Sequence, residues 1–433
     1  MKAVVISFFL LALYGAVRES EASDAWNGLL NPRVYFTFPV FKYSDQCAYN
    51  GRDVTLDYRR AIYDFATIFF KPVAASSHLH TVNSPFSIWL MLAAMAEGTE
   101  GPAQQELFKV LNLPDDKCQR QQFYELASKT EINGPDATLL RTQIFAYDET
   151  LKLNEYWKNY IYTNCLMNTL PVPMKRDPLA AEAVMRNLIS TRIPITDFKG
   201  NSALLDSLDY QALWTTAFSD IVEKAPFYND IGQQIGTIDL MKTKKRVRMM
   251  YLPYLKMKVL ELPVGYNGRY RMMLGLAMGS TKESLEAMKN TIVFEVLDGL
   301  QTSRIPIDIA IPRFTMTSEY DARPFLEGLG VRSMWTDSNA TRNISDPAAN
   351  PSSMVQRVTI TFDRAGVHPN TEELPSFLSG TNSCDSETGL DPILGREFIA
   401  NKPFFFALLD TDTYMVMMAS VFSRPTTNFV FKK

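Results

Sequence analysis

The order of helical and strand patterns along the chain is the feature that most limits its fold. In Leu56–Phe70, apolar residues repeat at helical spacing, and Pro72 indicates the end of that helix. Pro85–Glu97 is apolar on nearly every face, which predicts a buried helix, and the preceding Asn83 and Ser84 are typical of a helix start. Shorter helices are predicted at 104–111, 119–129 and 154–164.

The second half of the chain consists of short segments that are rich in β-branched and aromatic residues. These predict strands at Val259–Val264, Met272–Met278, Ile305–Ile311, Val358–Phe362, Phe404–Leu409 and Tyr414–Phe422. Helices early and strands late favour an α+β fold with antiparallel sheets over a βαβ repeat. We find no internal repeat and no Gly/Ser-rich linker, so the 433 residues are expected to contain one large folded domain.

The N-terminus has the pattern of a secretory signal peptide. Lys2 supplies a positive charge, Ala3–Val17 is a short apolar run, and Ser20 and Ala22 are small residues at the cleavage positions. We therefore expect residues 1–22 to be removed, with an N-terminal membrane anchor as the alternative. This predicts a secreted, extracellular protein with an N-terminal extension at 23–55 and a folded domain at 56–433.

Secretion affects how the cysteines and two asparagines are interpreted. Four cysteines, at positions 47, 118, 165 and 384, allow three disulfide pairings or a set of buried thiols, and their spacings resemble no zinc site. Asn339 and Asn343 each begin an Asn-x-Ser/Thr sequence in a polar stretch, so both are candidate glycosylation sites.

Composition and motifs argue against several classes of function. A formal net charge of -3 gives no reason to expect nucleic-acid binding, and no segment after the signal peptide is long and apolar enough to span a membrane. The chain has three histidines and none of the common hydrolase or phosphate-binding motifs, so we expect no enzyme and no cofactor. A secreted hydrolase on another fold is the least favoured alternative.

Two local patterns resemble binding sites, but each favours a structural interpretation. The basic run at Lys242, Lys244, Lys245, Arg246 and Arg248 favours a solvated strand, with weak polyanion binding as the alternative. His78 and His80 are spaced poorly for one metal ion and favour a solvated loop, so no metal site is predicted.

A series of segments resembles, in order, the conserved segments of the serpin family from about residue 56 to 425. They are Asn83–Gly101, Trp214 with Lys224–Tyr228, Val259–Pro263, Ile311–Phe314, Leu326–Gly330 and Asn401–Phe406. The resemblance implies the serpin fold, with a large central β-sheet, two further sheets, eight or nine helices and an exposed reactive-centre loop. It also implies a monomer that needs no cofactor.

In an inhibitory serpin, a serine protease cuts the reactive-centre loop, which then inserts into the central sheet and traps the protease. Other serpins do not inhibit and act by binding. The loop root, or hinge, aligns here with Asp363–Glu373, in which only Gly366 clearly matches the family pattern. The hinge residues implied by the alignment are Arg364, Ala365, Gly366, Val367 and Pro369.

Three properties of the hinge argue against insertion. Pro369 and Pro375 lack the N–H that a central strand donates. Glu373 falls on the face that insertion would bury, and burying an unpaired carboxylate is costly. Arg364 takes the place of an acidic residue, and it would repel Arg313 unless an acid lies nearby.

The rest of the predicted site comes from the same resemblance. The sheet-opening region corresponds to Ser84, Ser87, Asp206, Trp214, Arg313 and Gln356. Asp206 and Gln356 replace the family's usual asparagine and histidine, although the two could still hydrogen-bond to each other. The loop is longer than the family pattern, and counting from the hinge places the scissile bond between Gly380 and Thr381.

These observations give a leading hypothesis and an alternative. The leading one is a secreted, non-inhibitory or divergent serpin that binds an unidentified ligand. The alternative is a serine protease inhibitor that acts by loop insertion. Because Cys47 and Cys384 both lie where the chain departs from the family pattern, a Cys47–Cys384 disulfide that tethers the loop is a further hypothesis.

Overall fold

A computed structural model describes residues 47, 53–130, 137–195, 200–266, 268–368, 395–425 and 428–430. These ranges contain ten α-helices and one short 3₁₀ turn at Pro253–Leu255. The helices are α1 Thr55–Ser76, α2 Pro85–Ala96, α3 Gly101–Leu111, α4 Lys117–Ser128, α5 Glu155–Thr163, α6 Pro178–Leu188, α7 Thr281–Ala287, α8 Ile292–Gly299, α9 Arg323–Leu329 and α10 Ser333–Thr336.

Helix α1 is longer than the sequence predicts, because Pro72 lies within it and does not end it. Val73 and Ala74, which follow the proline, are fully buried. Tertiary packing of this last turn thus offsets the loss of the backbone hydrogen bond that proline cannot donate.

Helix α2 is the buried helix that the sequence predicts. All twelve of its residues are buried, and the hydroxyl of Ser84 caps it by accepting a hydrogen bond from the backbone N–H of Ser87 (3.2 Å). Pro85 occupies the first helical position, where its missing N–H costs nothing. The helix forms the centre of the main hydrophobic core, with sheets and helices packed around it.

The described residues also form eighteen strands in two sheets. The strands are β1 Thr81–Asn83, β2 Ala137–Asp148, β3 Asn168–Val172, β4 Ser202–Ala212, β5 Trp214–Thr216, β6 Asp220–Tyr228, β7 Gln234–Lys245, β8 Arg248–Leu252, β9 Met257–Val264, β10 Tyr270–Ala277, β11 Gln301–Thr302, β12 Ile307–Asp321, β13 Pro351–Phe362, β14 Gly366–His368, β15 Glu397–Ile399, β16 Phe404–Asp410, β17 Met415–Phe422 and β18 Asn428–Val430.

The first sheet has the order β1-β17-β16-β10-β9-β5-β14, with β8 also paired to β9 and β11 paired to β8. The second, central sheet has the order β3-β2-β4-β13-β12-β7-β6, with β15 and β18 also paired to β12. The α+β class is confirmed, but the sheets are mixed, since β4 pairs parallel to β13 and β2 pairs parallel to β3.

The third sheet expected from the resemblance is joined to the central one by a single strand. Strand β12 is fifteen residues long; its first half pairs with β7 and β15, and its second half pairs with β13. Because β12 is this long, the two predicted sheets form one continuous hydrogen-bonded sheet.

Strands β4 and β13 are direct neighbours in the central sheet. They pair in parallel from Ser202 and Pro351 to Tyr210 and Ile360. In the part of the chain that the structure describes, no strand lies between them. This is the position into which an inserted loop would have to go.

The disulfide hypothesis is wrong in its partner. Cys47 is bonded to Cys118 on α4, not to Cys384. Cys165 is buried, and Cys384 lies outside the described residues. The bond ties the N-terminal extension to α4, so it gives no tether to the reactive-centre loop.

Among the described residues, no helix combines the length and the apolar character that crossing a membrane requires.

Candidate functional site

The root of the predicted reactive-centre loop is held against β5. We call Asp363–His368 the hinge segment. Gly366 and His368 pair in parallel with Trp214 and Thr216. The backbone carbonyl of Ala365 accepts a hydrogen bond from the N–H of Trp214 (3.1 Å). The hinge segment therefore continues the direction of β13 away from the central sheet and does not turn back into it.

Further contacts fix the start of the hinge segment. The indole N–H of Trp214 donates to the carbonyl of Asp363 (2.6 Å), and the N–H of Phe218 donates to the carbonyl of Arg364 (3.0 Å). The Trp214 ring is buried and makes edge contacts with Phe218 and Phe362 at centroid distances of 5.3 and 5.5 Å. These contacts lock the segment to its neighbour by backbone and side chain together.

Gly366 is required by this close packing. A Cβ built on it would lie 2.1 Å from the backbone nitrogen of Ala217 and 2.6 Å from its Cα. Real Cβ atoms do not approach a backbone so closely, so any larger residue would force the hinge segment away from β5. Val367 beside it is half-buried.

The repulsion expected between Arg313 and Arg364 is offset by a nearby acid. Asp363 forms an ion pair with Arg313, with 3.0 Å between Oδ1 and Nε, and also accepts the backbone N–H of Arg364 (2.7 Å). Both side chains of the ion pair are about half exposed (48% and 49%), so the pair adds little stability. The charge objection to loop insertion is thus weaker than the sequence suggests.

The sheet-opening residues form one buried hydrogen-bond network beneath the junction of β4 and β13. Asp206 and Gln356 are register partners on these strands, and Gln356 Nε2 donates to Asp206 Oδ2 (2.5 Å). Ser87 Oγ donates to Asp206 Oδ1 (2.7 Å). The hydrogen bond that the sequence allowed between Asp206 and Gln356 is therefore present.

Gln356 uses all of its hydrogen-bonding capacity. Its Oε1 accepts from the N–H of Ser84 (3.0 Å) and the hydroxyl of Tyr320, and its Nε2 donates to the Ser84 carbonyl (3.0 Å) as well as to Asp206. Ser84 Oγ in turn donates to the carbonyl of Met417 (2.7 Å). The network thus links α2 and β17 to three strands of the central sheet.

Asp206 is the electrostatic centre of this network. Burial raises the pKa of its carboxyl to about 6, while hydrogen bonds from Gln356 and Ser87 and the charge of Arg141 act in the opposite direction. Asp206 is completely inaccessible to solvent. Burial therefore disfavours the charged form of this carboxyl more than the two hydrogen bonds and Arg141 favour it, compared with an exposed aspartate.

Two members of the network were not predicted. Tyr320 lies opposite Gln356 on β12, and Gln143 lies opposite Asp206 on β2 and donates to the carbonyl and hydroxyl of Ser87 (2.7 and 3.1 Å). Sequence reasoning missed Gln143 because strand β2 was not predicted, and it missed Tyr320 because the predicted strand Ile305–Ile311 covers only the first part of β12, so no register was available for either residue.

Three predicted loop residues, Pro369, Gly380 and Thr381, lie outside the described residues. Both glycosylation candidates are on the described surface: Asn339 and Asn343 are exposed in the segment that follows α10. Their position is compatible with attached sugar.

The basic run mostly follows the exposed face of β7 and its neighbour, as expected for a solvated strand. Lys244 pairs with Asp308 (3.1 Å) and Arg248 pairs with Glu261 (2.9 Å). Lys245 is the exception: burial lowers its pKa to about 8, and its amino group lies 5.8 Å from the ring centroid of Phe218.

The prediction that both histidines lie in a solvated loop is correct for one of them only. His78 is exposed, but His80 is fully buried and its Nδ1 accepts the backbone N–H of Ser423 (3.2 Å). Within the described ranges, no group of three histidine, cysteine or acidic side chains is arranged to hold a metal ion.

A separate apolar cavity lies between α1, α8 and the first sheet. Its volume is about 150 Å³, and its walls include Phe70, Met257, Val296, Phe405 and Val416. Ser420 also lines it; its hydroxyl is buried and, among the described residues, has no hydrogen-bond partner. The cavity could hold a small apolar molecule that carries one polar group.

Comparisons with known proteins agree on one family. The family model "Serpin (serine protease inhibitor)" matches residues 60–425. Iripin-2 from Ixodes ricinus is 21% identical over 350 residues, which are 76% of this chain and 84% of that protein.

Solved structures give the same result for the fold. Serine protease inhibitor (serpin)-12 of Manduca sexta matches with a TM-score of 0.70 and 19% identity, over 85% of this chain and 99% of its own. Human thyroxine-binding globulin in complex with thyroxine matches with a TM-score of 0.72 and 15% identity, over 86% of this chain and 100% of its own.

Proposed function

Because this chain belongs to the serpin family, we propose that it is a secreted serpin that acts by binding and does not trap proteases by loop insertion. The observation that carries the proposal is the attachment of the hinge segment to β5. For the loop to insert, the hinge segment would have to leave Trp214 and Thr216, reverse its direction and separate β4 from β13. The serpin itself has no catalytic role in this proposal.

The sequence of the loop adds to this barrier. After the attached segment come Pro369 and Pro375, each of which removes one donor from a new strand. Glu373 would enter the buried face, where its carboxylate must be protonated or paired. Insertion would thus exchange an existing ladder for one with missing hydrogen bonds.

We therefore expect cleavage of the loop between 374 and 394 to leave the thermal stability nearly unchanged. A protease that cuts such a loop should release it as an ordinary substrate, with no complex that survives sodium dodecyl sulfate. The measurement is the melting temperature of intact and nicked protein side by side, with mass spectrometry to confirm that both fragments remain associated.

The triple substitution Pro369→Ala, Glu373→Thr and Pro375→Ala is the matched positive control, since it removes the sequence barriers and leaves the hinge contacts in place. Its nicked form should gain more stability than the nicked natural protein. A rise of tens of degrees on nicking the natural protein would instead support the alternative, a serine protease inhibitor acting by loop insertion. The name of the family model and that of the Manduca sexta relative favour this alternative.

The apolar cavity favours a second candidate function, carriage of a small apolar molecule. Apolar cavities of roughly 150 Å³ stay dry and accept single-ring compounds. Human thyroxine-binding globulin, which shares the fold, is in complex with thyroxine. The unpartnered hydroxyl of Ser420 further favours a ligand with one hydrogen-bonding group.

We expect phenol, at ten times its dissociation constant, to raise the melting temperature by about 2 °C. Ser420→Ala should weaken phenol binding and leave toluene binding unchanged, because only phenol can use the hydroxyl. Ala419→Leu, which fills the cavity, should abolish both. Equal binding of phenol to the Ala419→Leu variant, measured by calorimetry, would show that the cavity is not the site.

A further inference from the structure

The outer edge of β12 in the central sheet carries a strand that the sequence did not predict. Thr317, Ser318 and Glu319 pair with β13 and also, in parallel, with Asn428–Val430 of β18. A strand has two hydrogen-bonding edges, so β18 must occupy the edge opposite to β13. The end of the chain thus forms an additional strand of the central sheet.

Without β18, this part of β12 would end the sheet. The pairing of β12 with β7 stops at Arg313, four residues before Thr317. Among the described residues, no other strand pairs with Thr317–Glu319 on that side. An uncovered edge exposes backbone N–H and C=O groups that readily pair with any extended segment.

The route of the chain towards this edge is fixed by two contacts after β17. The N–H of Ser423 donates to Nδ1 of the buried His80 (3.2 Å). Pro425 lies directly against Gly236 of β7, where a Cβ would come within 2.5 Å of Pro425 Cγ. The absence of a side chain at Gly236 therefore lets the chain pass close to the end of β7 and reach β12.

The residue types in and after β18 favour an extended strand. Phe429, Val430 and Phe431 are residue types that favour extended structure, and Lys432 and Lys433 follow them.

We propose that the outer edge of β12 is a strand-accepting site, filled by the chain's own C-terminal segment, which keeps it from taking the same segment of a second copy. The chemistry of recognition is the backbone of an extended peptide that pairs in parallel with Thr317–Glu319. In the intact chain the high local concentration of the attached segment favours the intramolecular partner.

The test uses the full chain, a variant that ends at Thr427 and a matched variant that ends at Val430 and so keeps β18. The probe is a fluorescent peptide with the sequence of residues 426–433. By fluorescence anisotropy, the variant that ends at Thr427 should bind the peptide at least tenfold more tightly than the other two proteins. A peptide with proline at the positions of Phe429 and Val430 should not bind.

Equal binding of the peptide by all three proteins, or no binding by a folded variant that ends at Thr427, would overturn the proposal. If that variant does not fold, Phe429→Pro with Val430→Pro in the full-length chain removes the N–H groups of both residues, one of which faces β12, without shortening the chain. This variant should then bind the peptide, and a lack of binding would count against the site. Neither outcome depends on whether the reactive-centre loop inserts.

Discussion

Replacing Cys118 with serine is expected to lower the free energy of unfolding by about 4 kcal/mol. The Cys47–Cys118 bond joins residues 71 positions apart, and a cross-link of that span removes much of the conformational freedom of the unfolded chain. It also fixes the N-terminal extension to α4. Urea unfolding of the oxidised natural protein and of the variant measures the difference.

Two further variants separate this pairing from the alternative with Cys384. Cys47→Ala should lower the free energy of unfolding as much as Cys118→Ser does. The double variant should lower it no further than either single variant, because both substitutions remove the same bond. Cys384→Ser should change stability little. A large loss for Cys384→Ser with little for Cys118→Ser would show that the loop cysteine is the true partner of Cys47.

The sequence predicts those parts of the fold in which one pattern dominates. Helix α2 was recognisable because a cap and a proline precede a continuous apolar run, and β9, β10, β16 and β17 are alternating or apolar segments of strand length. Strands β2 and β4 were not recognised. Strand β4 lies between β2 and β13 and is buried on both faces, with the polar residues Asp206 on one face and Ser207 on the other, which breaks the expected pattern.

The candidate site was predictable in composition but not in contacts. The resemblance pointed to Asp206 and Gln356, whereas only strand register shows that Tyr320 joins them. The charges of Arg313 and Arg364 are visible in the sequence, but the ion pair with Asp363 depends on the register of β12 and β13, which brings Asp363 next to Arg313. Cysteine pairing and the added strand β18 depend on contacts distant in sequence, which local patterns do not encode.

Asp206→Asn is expected to raise the free energy of unfolding at pH 7.5 by about 2–3 kcal/mol. Burial raises the pKa of Asp206 to about 6, above the ordinary value of the unfolded chain. The folded state therefore binds a proton that the unfolded state has already released between about pH 4 and pH 6. The stability from this group is complete below pH 4 and is lost as the pH rises through 6.

The asparagine variant should lack this dependence. The difference in stability between variant and natural protein should be large at pH 7.5 and small at pH 4, since the protonated carboxyl and the amide are both neutral. Other groups that face the site, such as Arg141 and Tyr320, are present in both proteins.

Asp209→Asn is the matched control on the same strand. Asp209 is partly exposed and pairs with Arg357 (2.8 Å), so losing its charge should lower stability by about 1 kcal/mol or less at pH 7.5. If the two Asp→Asn substitutions, three residues apart on β4, change the free energy of unfolding in opposite directions, the stabilising effect belongs to the buried network. If Asp206→Asn did not raise the free energy of unfolding at pH 7.5, the charged carboxylate would not destabilise the folded protein. A gain would mean that acid stabilises the folded protein, because the buried carboxylate opposes folding only when it is ionised.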